Sequence, residues 1–147
     1  MINIEYPAPN FRVKQEEGKE WIFDGLRKKW VVLTPEEWVR QNFIQYLIQM
    51  KNYPVSLMAI ERELKIGSVK RRFDILIFDR EQKPWLMVEC KSMDTSLTAN
   101  VFEQILHYNL AIPVPYLVIT NGNECMAWER SSNGIIDLFK IPDFVGV

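Results

Sequence analysis

Two almost unbroken apolar runs, FDILIF at 73–78 and WLMVEC at 85–90, constrain this fold more than any other feature of the chain. Runs this short and this apolar predict strands buried on both faces, which in turn requires a sheet covered by helices. The link between them, DREQKP at 79–84, is short enough to close a hairpin. Each run also carries charge where burial should forbid it. Asp74 sits near the start of the first, and Glu89 and Lys91 stand at the end of the second. A buried carboxylate or ammonium is costly unless it is paired or bound to something.

The remaining pattern supplies the helices. Thr34-Pro35-Glu36-Glu37 predicts a helix start, with Thr as cap, Pro at the first helical position and acids in the first turn. That helix is expected to run to about Lys51, burying Val39, Phe43, Leu47 and Met50. A second helix is expected over 98–111, with Val101, Ile105, Tyr108 and Ile112 inward and Pro113 and Pro115 closing it. SLMAIEREL at 56–64 predicts a strand with Ile60, Leu64 and Ile66 on one side and Glu61, Glu63 and Lys65 on the other. YLVIT at 116–120, a strand around 125–130 after the Asn121-Gly122 turn, and IIDLFK at 135–140 add three more. Upstream, 1–20 reads as a polar extended arm and 21–33 as a small hairpin turning at Asp24-Gly25. The expected class is α/β: one domain over 1–147, with an arm and hairpin at 1–33 and a core at 34–140 built on a mixed sheet flanked by helices.

Charge bears directly on function. Eighteen Lys and Arg against nineteen Asp and Glu give a formal net charge of -1. Bulk charge therefore does not point to nucleic acid, and the basic residues form local clusters at Arg27-Lys28-Lys29 and Lys70-Arg71-Arg72. The two cysteines, Cys90 and Cys125, form neither a disulfide framework nor a CxxC metal site. No apolar run is long enough to span a membrane, and MINIEYPAPNF lacks the basic and apolar regions of a secretory signal. A reducing cytoplasm is the expected location, without membrane partners.

Strand alternation places Glu89 and Lys91 about 7 Å apart on one face. If 73–78 and 85–91 pair as a hairpin, Asp74 comes level with both. Two carboxylates and the Cys90 carbonyl between them suit a hard divalent cation such as Mg²⁺. A lysine beside it can position water or stabilise charge on a phosphate. These are the components of metal-assisted phosphodiester hydrolysis. The competing reading has Glu89 and Lys91 at an ordinary fraying strand end, with Asp74 paired to Arg71 or Arg72.

Asp74, the hairpin and Glu89-Cys90-Lys91 resemble the PD-(D/E)XK nuclease superfamily, although Phe73 stands where that motif has proline. More closely, the chain is similar to the N-terminal nuclease domain of type I restriction enzyme R subunits, including small stand-alone proteins built on it. The similarity runs through TPEEWVRQ (34–41), RRFDILIFD (71–79), WLMVECK (85–91), FEQILHYN (102–109) and YLVITNG (116–122). It implies a restriction-endonuclease-like αβββαβ core and cleavage of DNA dependent on Mg²⁺ (or Mn²⁺).

It also implies a glutamate from the first helix. Glu36 and Glu37 are both candidates, with Glu37 taken into the expected site; acids favoured by the helix N-terminus explain either equally well. Gln104 and Tyr108 match a Gln-x-x-x-Tyr pattern of the subfamily, and Gln104 is expected either to support the metal shell or to bond backbone. Lys70, Arg71 and Arg72 are the expected phosphate-holding residues. His107, Glu61, Glu63, Trp85 and Trp128 read more simply as surface or core residues. The leading expectation is a metal-dependent endonuclease, acting as a homodimer or with a separate targeting partner. The alternatives are a non-cleaving nucleic-acid or protein-interaction module on the same fold, and a purely structural domain with an internal salt bridge.

Overall fold

In the computed structural model, which describes residues 1–144, the two apolar runs lie side by side at the centre of the molecule. They belong to antiparallel strands β5 (Val69–Phe78) and β6 (Pro84–Cys90), with Ile75 opposite Val88 and Ile77 opposite Leu86. Their turn is fixed by Asp79, whose Oδ1 accepts from the amides of Glu81 and Lys83. Strand β4 (Met58–Ile66) joins β5 through a turn at Gly67, whose φ of 61° favours glycine. Beyond β6 the chain crosses over through helix α2 (Ala99–Asn109) and returns as β7 (Tyr116–Thr120), parallel to β6. A helical crossover is what parallel pairing requires. Strands β8 (Cys125–Ser131) and β9 (Gly134–Leu138) then follow antiparallel, completing a mixed six-stranded sheet in the order β4-β5-β6-β7-β8-β9.

The helices cover both faces, which accounts for the near-continuous apolar character of β5 and β6. Helix α1 (Pro35–Gln49) begins at Thr34, whose hydroxyl accepts from the Glu37 amide at 3.0 Å. Its Val39, Phe43, Ile44 and Leu47 pack on Ile75, Ile77, Leu86, Val88 and Val118. On the opposite face Phe102 of α2 packs with Phe73, Leu76, Met87, Leu117 and Trp128. The order α1-β4-β5-β6-α2-β7 is the expected αβββαβ core.

Three expectations are corrected. The polar arm contains β1 (Val13–Glu16) and the start of β2 (Lys19–Asp24), which form a three-stranded sheet with β3 (Lys29–Val32). Glu17 and Gly18, both at positive φ, make the turn that the sequence does not advertise. The first residues are also anchored, because Ile2 is buried and its amide bonds the Cys125 carbonyl. Helix α1 stops at Gln49, leaving Met50 49% exposed rather than in the core. In α2 the expected Val101 and Ile105 do pack inward, joined by Phe102, Leu106 and Asn109, and Ile112 is buried beyond the helix, but Tyr108 is 59% exposed.

Candidate active site

The site begins with an irregularity in β4. Ile60 pairs with Ile75 and Arg62 with Phe73, so the β4–β5 register is unchanged across Glu61 and Asp74. Yet Ile60 and Ile75 pack with α1, whereas Leu64 and Phe73 pack with the α2 side. Ideal alternation would keep residues two apart on one face. Both strands therefore change faces at the Glu61–Asp74 position. Glu61 accounts for this with a φ of 53°, a left-handed conformation that costs a non-glycine residue about 1–3 kcal/mol. The result is that Asp74 and Ile75, though adjacent, both turn toward α1. It also separates Ile60 from Leu64, which strand alternation alone would place together.

Asp74 is thereby brought to the end of β6. Its Oδ2 accepts from the Cys90 amide at 2.8 Å, and its Oδ1 accepts from Arg40 Nη2 at 2.7 Å. Glu89 and Lys91 stand beside it, paired to each other at 3.6 Å. Burial and the neighbouring Asp74 charge push the Glu89 carboxyl up to about 7, with Lys91 only partly opposing them. Glu36 belongs to the same field. Its pKa is raised by partial burial and by Asp74, while Arg40 and Lys91 act in the other direction. Mutual repulsion among Asp74, Glu89 and Glu36 is the electrostatic signature of carboxylates held together without enough positive charge.

Behind them lies a supporting ion network. Arg40, 5% exposed, donates through Nη1 to Glu37 at 2.6 Å and lies within 3.4 Å of Glu61 and 3.7 Å of Glu36. Burial works against its charge, but the Asp74 hydrogen bond and the Glu37 charge outweigh that and raise its pKa. Its Nε is buried without a hydrogen-bond partner among the described residues. Arg27, from the β2–β3 turn, reaches Asp24, Glu37 and Glu61. Gln41 closes the network by donating to both Asp24 and Glu37. Asp24 is fully buried; burial alone would raise its pKa, but bonds from the Arg27 amide and side chain and from Gln41 lower it. Across the assembly, six carboxylates (Asp24, Glu36, Glu37, Glu61, Asp74, Glu89) face four cations (Arg27, Arg40, Arg72, Lys91). A cleft of about 710 Å³ opens on this cluster between Lys29 and Val31 of β3, Glu36 and Arg40 of α1, Glu61 and Ser92.

Asp74, Glu89, Cys90 and Lys91 are thus gathered at one hairpin end, as the spacing predicts. Of the two helix glutamates, Glu36 shares the field of Asp74 and Lys91. Glu37 also borders the cleft, but it is 6% exposed and its carboxylate accepts from Arg27, Arg40 and Gln41. Gln104 is displaced. It lies on the exposed face of α2 beside Asn100, Glu103 and His107, with no hydrogen bond to Asp74, Glu89 or Lys91 among the described residues. The basic triplet is splayed apart: Lys70 lies 3.6 Å from Glu63, Arg71 stacks on the Tyr108 ring at 3.9 Å, and Arg72 bonds Glu61 at 2.9 Å. Only Arg72 is linked to the cluster. Asp74 pairs with Arg40, not with Arg71 or Arg72. Trp128 is core, Trp85 packs with Tyr53 and Tyr116, and His107 is exposed beside Glu103.

Among the described residues no group of three or more His, Cys, Asp and Glu side chains is close enough together to hold a metal ion. The donors present are two carboxylates, Asp74 and Glu89, with Glu36 nearby. None of the described helices is long and apolar enough to cross a membrane. Residues 35–142, more than half of the chain, match the family described as Type I restriction enzyme R protein N terminus. No curated protein matches the chain.

Proposed function

We propose, from the premise that the chain belongs to the family of type I restriction enzyme R protein N termini, that it hydrolyses phosphodiester bonds in DNA with the help of a divalent cation. The observation that carries this reading is the convergence of Asp74, Glu89 and Lys91 at one hairpin end, with carboxylates in excess of cations, next to a cleft lined by Glu36 and by Arg40, the ion-pair partner of Asp74. Mg²⁺ is commonly bound through one or two carboxylates, with waters and substrate phosphates completing its shell. A two-carboxylate donor set of hard oxygens therefore fits Mg²⁺ (or Mn²⁺) without a third protein ligand. In this reading Asp74 and Glu89 would hold the cation, with the Cys90 carbonyl as a further oxygen donor. Bound there, a cation supplies Lewis-acid stabilisation of phosphate charge and a more acidic water.

The chain's own residues have separate tasks. Lys91 orients the attacking water or stabilises the phosphate oxygens with its ammonium. Arg40 and the Cys90 amide fix the Asp74 carboxylate, so its orientation is set before substrate arrives. Glu36 adds negative charge at the cleft edge and takes the helix-carboxylate role. Arg72 holds Glu61 and lies available to a backbone phosphate. The free buried thiols Cys90 and Cys125 fit a reducing cytoplasm. A targeting partner or a second copy would supply selectivity.

One observation favours a second reading, a binding module without turnover: Asp74 already has Arg40 as counter-ion at 2.7 Å. One assay separates the two. Purified protein is incubated with single-stranded, duplex and branched DNA in Mg²⁺ or Mn²⁺, beside Lys91→Ala and Glu36→Gln. Cleavage slowed about 10²-fold or more by Lys91→Ala is expected of a residue acting on the reacting groups. Absence of wild-type cleavage on every substrate, or cleavage equal in Lys91→Ala, overturns the nuclease reading.

A further inference from the structure

The small N-terminal sheet lies outside the segment matched to the family, and among the described residues one of its faces packs on neither core cluster. The register places Trp21 opposite both Lys14 and Val32, and Phe23 opposite Trp30. By strand alternation these side chains share a face, and the Phe23 amide bonds the Arg12 carbonyl, extending the row. Ile22 and Asp24, on the other face, are fully buried against the body of the molecule. Trp21, Phe23 and Trp30 belong to neither core cluster and are partly exposed. What covers them is charge: Arg12 lies 4.9 Å from the Phe23 ring and 5.3 Å from the Trp30 ring, and Lys14 lies 4.5 Å from Trp30.

We infer that this face binds single-stranded DNA, with bases stacked on Trp30 and Phe23 and phosphates held by Arg12 and Lys14. The choice of DNA rests on the nuclease reading; the stacking surface rests on the geometry. Unpaired bases offer flat π-faces to aromatic side chains, whereas the paired bases of a duplex are stacked on one another. The cations are poised for this exchange. Arg12 and Lys14 sit on flexible stems over the rings they would yield to bases, and among the described residues Lys14 otherwise makes a surface pair with Glu16. Charge complementarity is local: Arg12, Lys14 and Lys19 outnumber Glu16 on this face, although the whole chain has a net charge of -1. Position adds a second argument. Strand β3, which carries Trp30, also supplies Lys29, Val31 and Val32 to the cleft that opens on Glu36 and Arg40. Val32 shares the aromatic face, whereas Lys29 and Val31 line the cleft from the opposite face, so a strand passing from the rings over the edge of the sheet at Val32 reaches the cleft.

The test is binding measured in EDTA, where cation-dependent cleavage plays no part. Fluorescence anisotropy of a labelled oligothymidine is compared with an abasic oligomer of equal length and with a duplex, for wild type, Trp30→Ala and the double variant Arg12→Glu/Lys14→Glu. The wild type is expected to prefer oligothymidine over both controls by at least about tenfold, and Trp30→Ala to lose about tenfold, the loss of a single stack. Reversing two phosphate-binding cations is expected to flatten the slope of log affinity against log salt by at least about 1.4. The double variant changes only side chains at the surface, so it keeps the test decisive if Trp30→Ala perturbs the sheet. Equal binding of the abasic oligomer overturns stacking, a preference for duplex overturns the single-strand assignment, and unchanged affinity in the double variant overturns the surface. Binding without cleavage in Mg²⁺ sinks the nuclease reading alone, and cleavage without this binding sinks this inference alone.

Discussion

Replacing Glu89 with glutamine should stabilise the apo protein at alkaline pH, because the native site works against the charge it contains. The Glu89 carboxyl is pushed from an ordinary 4.5 up to about 7 by burial and by Asp74. Folding therefore favours its protonated form. Relative to a group that stays charged, that preference is fully present below pH 4.5 and is lost as pH rises through about 7. The gap, at about 1.4 kcal/mol per pH unit, amounts to about 3 kcal/mol of destabilisation above pH 7. The side chain is 21% exposed, so solvent screening leaves most of this intact. Glutamine keeps the shape and removes the charge; the Lys91 pair it forfeits, at 3.6 Å and near the surface, is worth under about 1 kcal/mol. In urea titrations without divalent cations, Glu89→Gln should match wild type at pH 4.5 and exceed it by about 2–3 kcal/mol at pH 8. On a chain of this size that corresponds to a rise of about 4–12 °C in Tm. Adding Mg²⁺ at pH 8 should narrow the difference by stabilising wild type preferentially. A stability difference that is the same at both pH values would refute the reasoning, since it would show that Glu89 is not held against its own ionisation.

Other substitutions probe the network behind the site. Arg40→Met leaves Glu37 and Asp74 without their shared cation and is expected to cost about 3–5 kcal/mol in urea unfolding at pH 7. Mg²⁺ should restore more stability to that variant than to wild type, and equal stabilisation would show that Asp74 is not where the cation binds. Asp24→Asn removes a charge held by Arg27 and Gln41 in full burial, and is expected to cost about 2–3 kcal/mol at pH 7. Because the pKa of Asp24 is lowered on folding, its contribution is present above the unfolded value of 3.8 and fades as pH falls below it. The cost of Asp24→Asn should shrink correspondingly in acid, and a cost that grows there would reverse the assignment.

The hairpin end at Asp74 and Glu89 is legible in the sequence because burial of both sheet faces leaves a charged residue nowhere to hide. Thr34 and Pro35 mark the start of α1 for an equally local reason, the need to satisfy free amides. What escapes the sequence is long-range or disguised. Arg40 follows Glu36 by four, a spacing that reads as a solvated helix pair, yet 36, 40, 43 and 47 form one stripe and Arg40 lies within its buried part. Asp24 precedes Gly25 and looks like turn chemistry; it does accept from the amides of Leu26 and Arg27, but its other oxygen organises the buried network. The face change at Glu61 has no signal at all, since positive φ is ordinarily announced by Gly or Asn. Gln104 escapes for a different reason: Val101 and Ile105 pack inward as their spacing predicts, but a residue bordering that stripe can turn either way, and Gln104 falls on the exposed face with Glu103 and His107.

These missed residues share a consequence for what counts as the site. The family match begins at residue 35, yet Arg27 comes from the turn of the N-terminal sheet and bridges Glu37 on α1 to Glu61 on β4. Glu61 is also the residue whose backbone turns Asp74 toward α1. A left-handed glutamate persists only where its surroundings over-determine it. Three arginines do so here: Arg27, Arg40 and Arg72 all contact the Glu61 carboxylate, from the N-terminal sheet, from α1 and from β5 respectively. The position of Asp74 is therefore set partly by a segment that the matched core does not include. The small sheet is a structural part of the site, even before any ligand is assigned to its outer face.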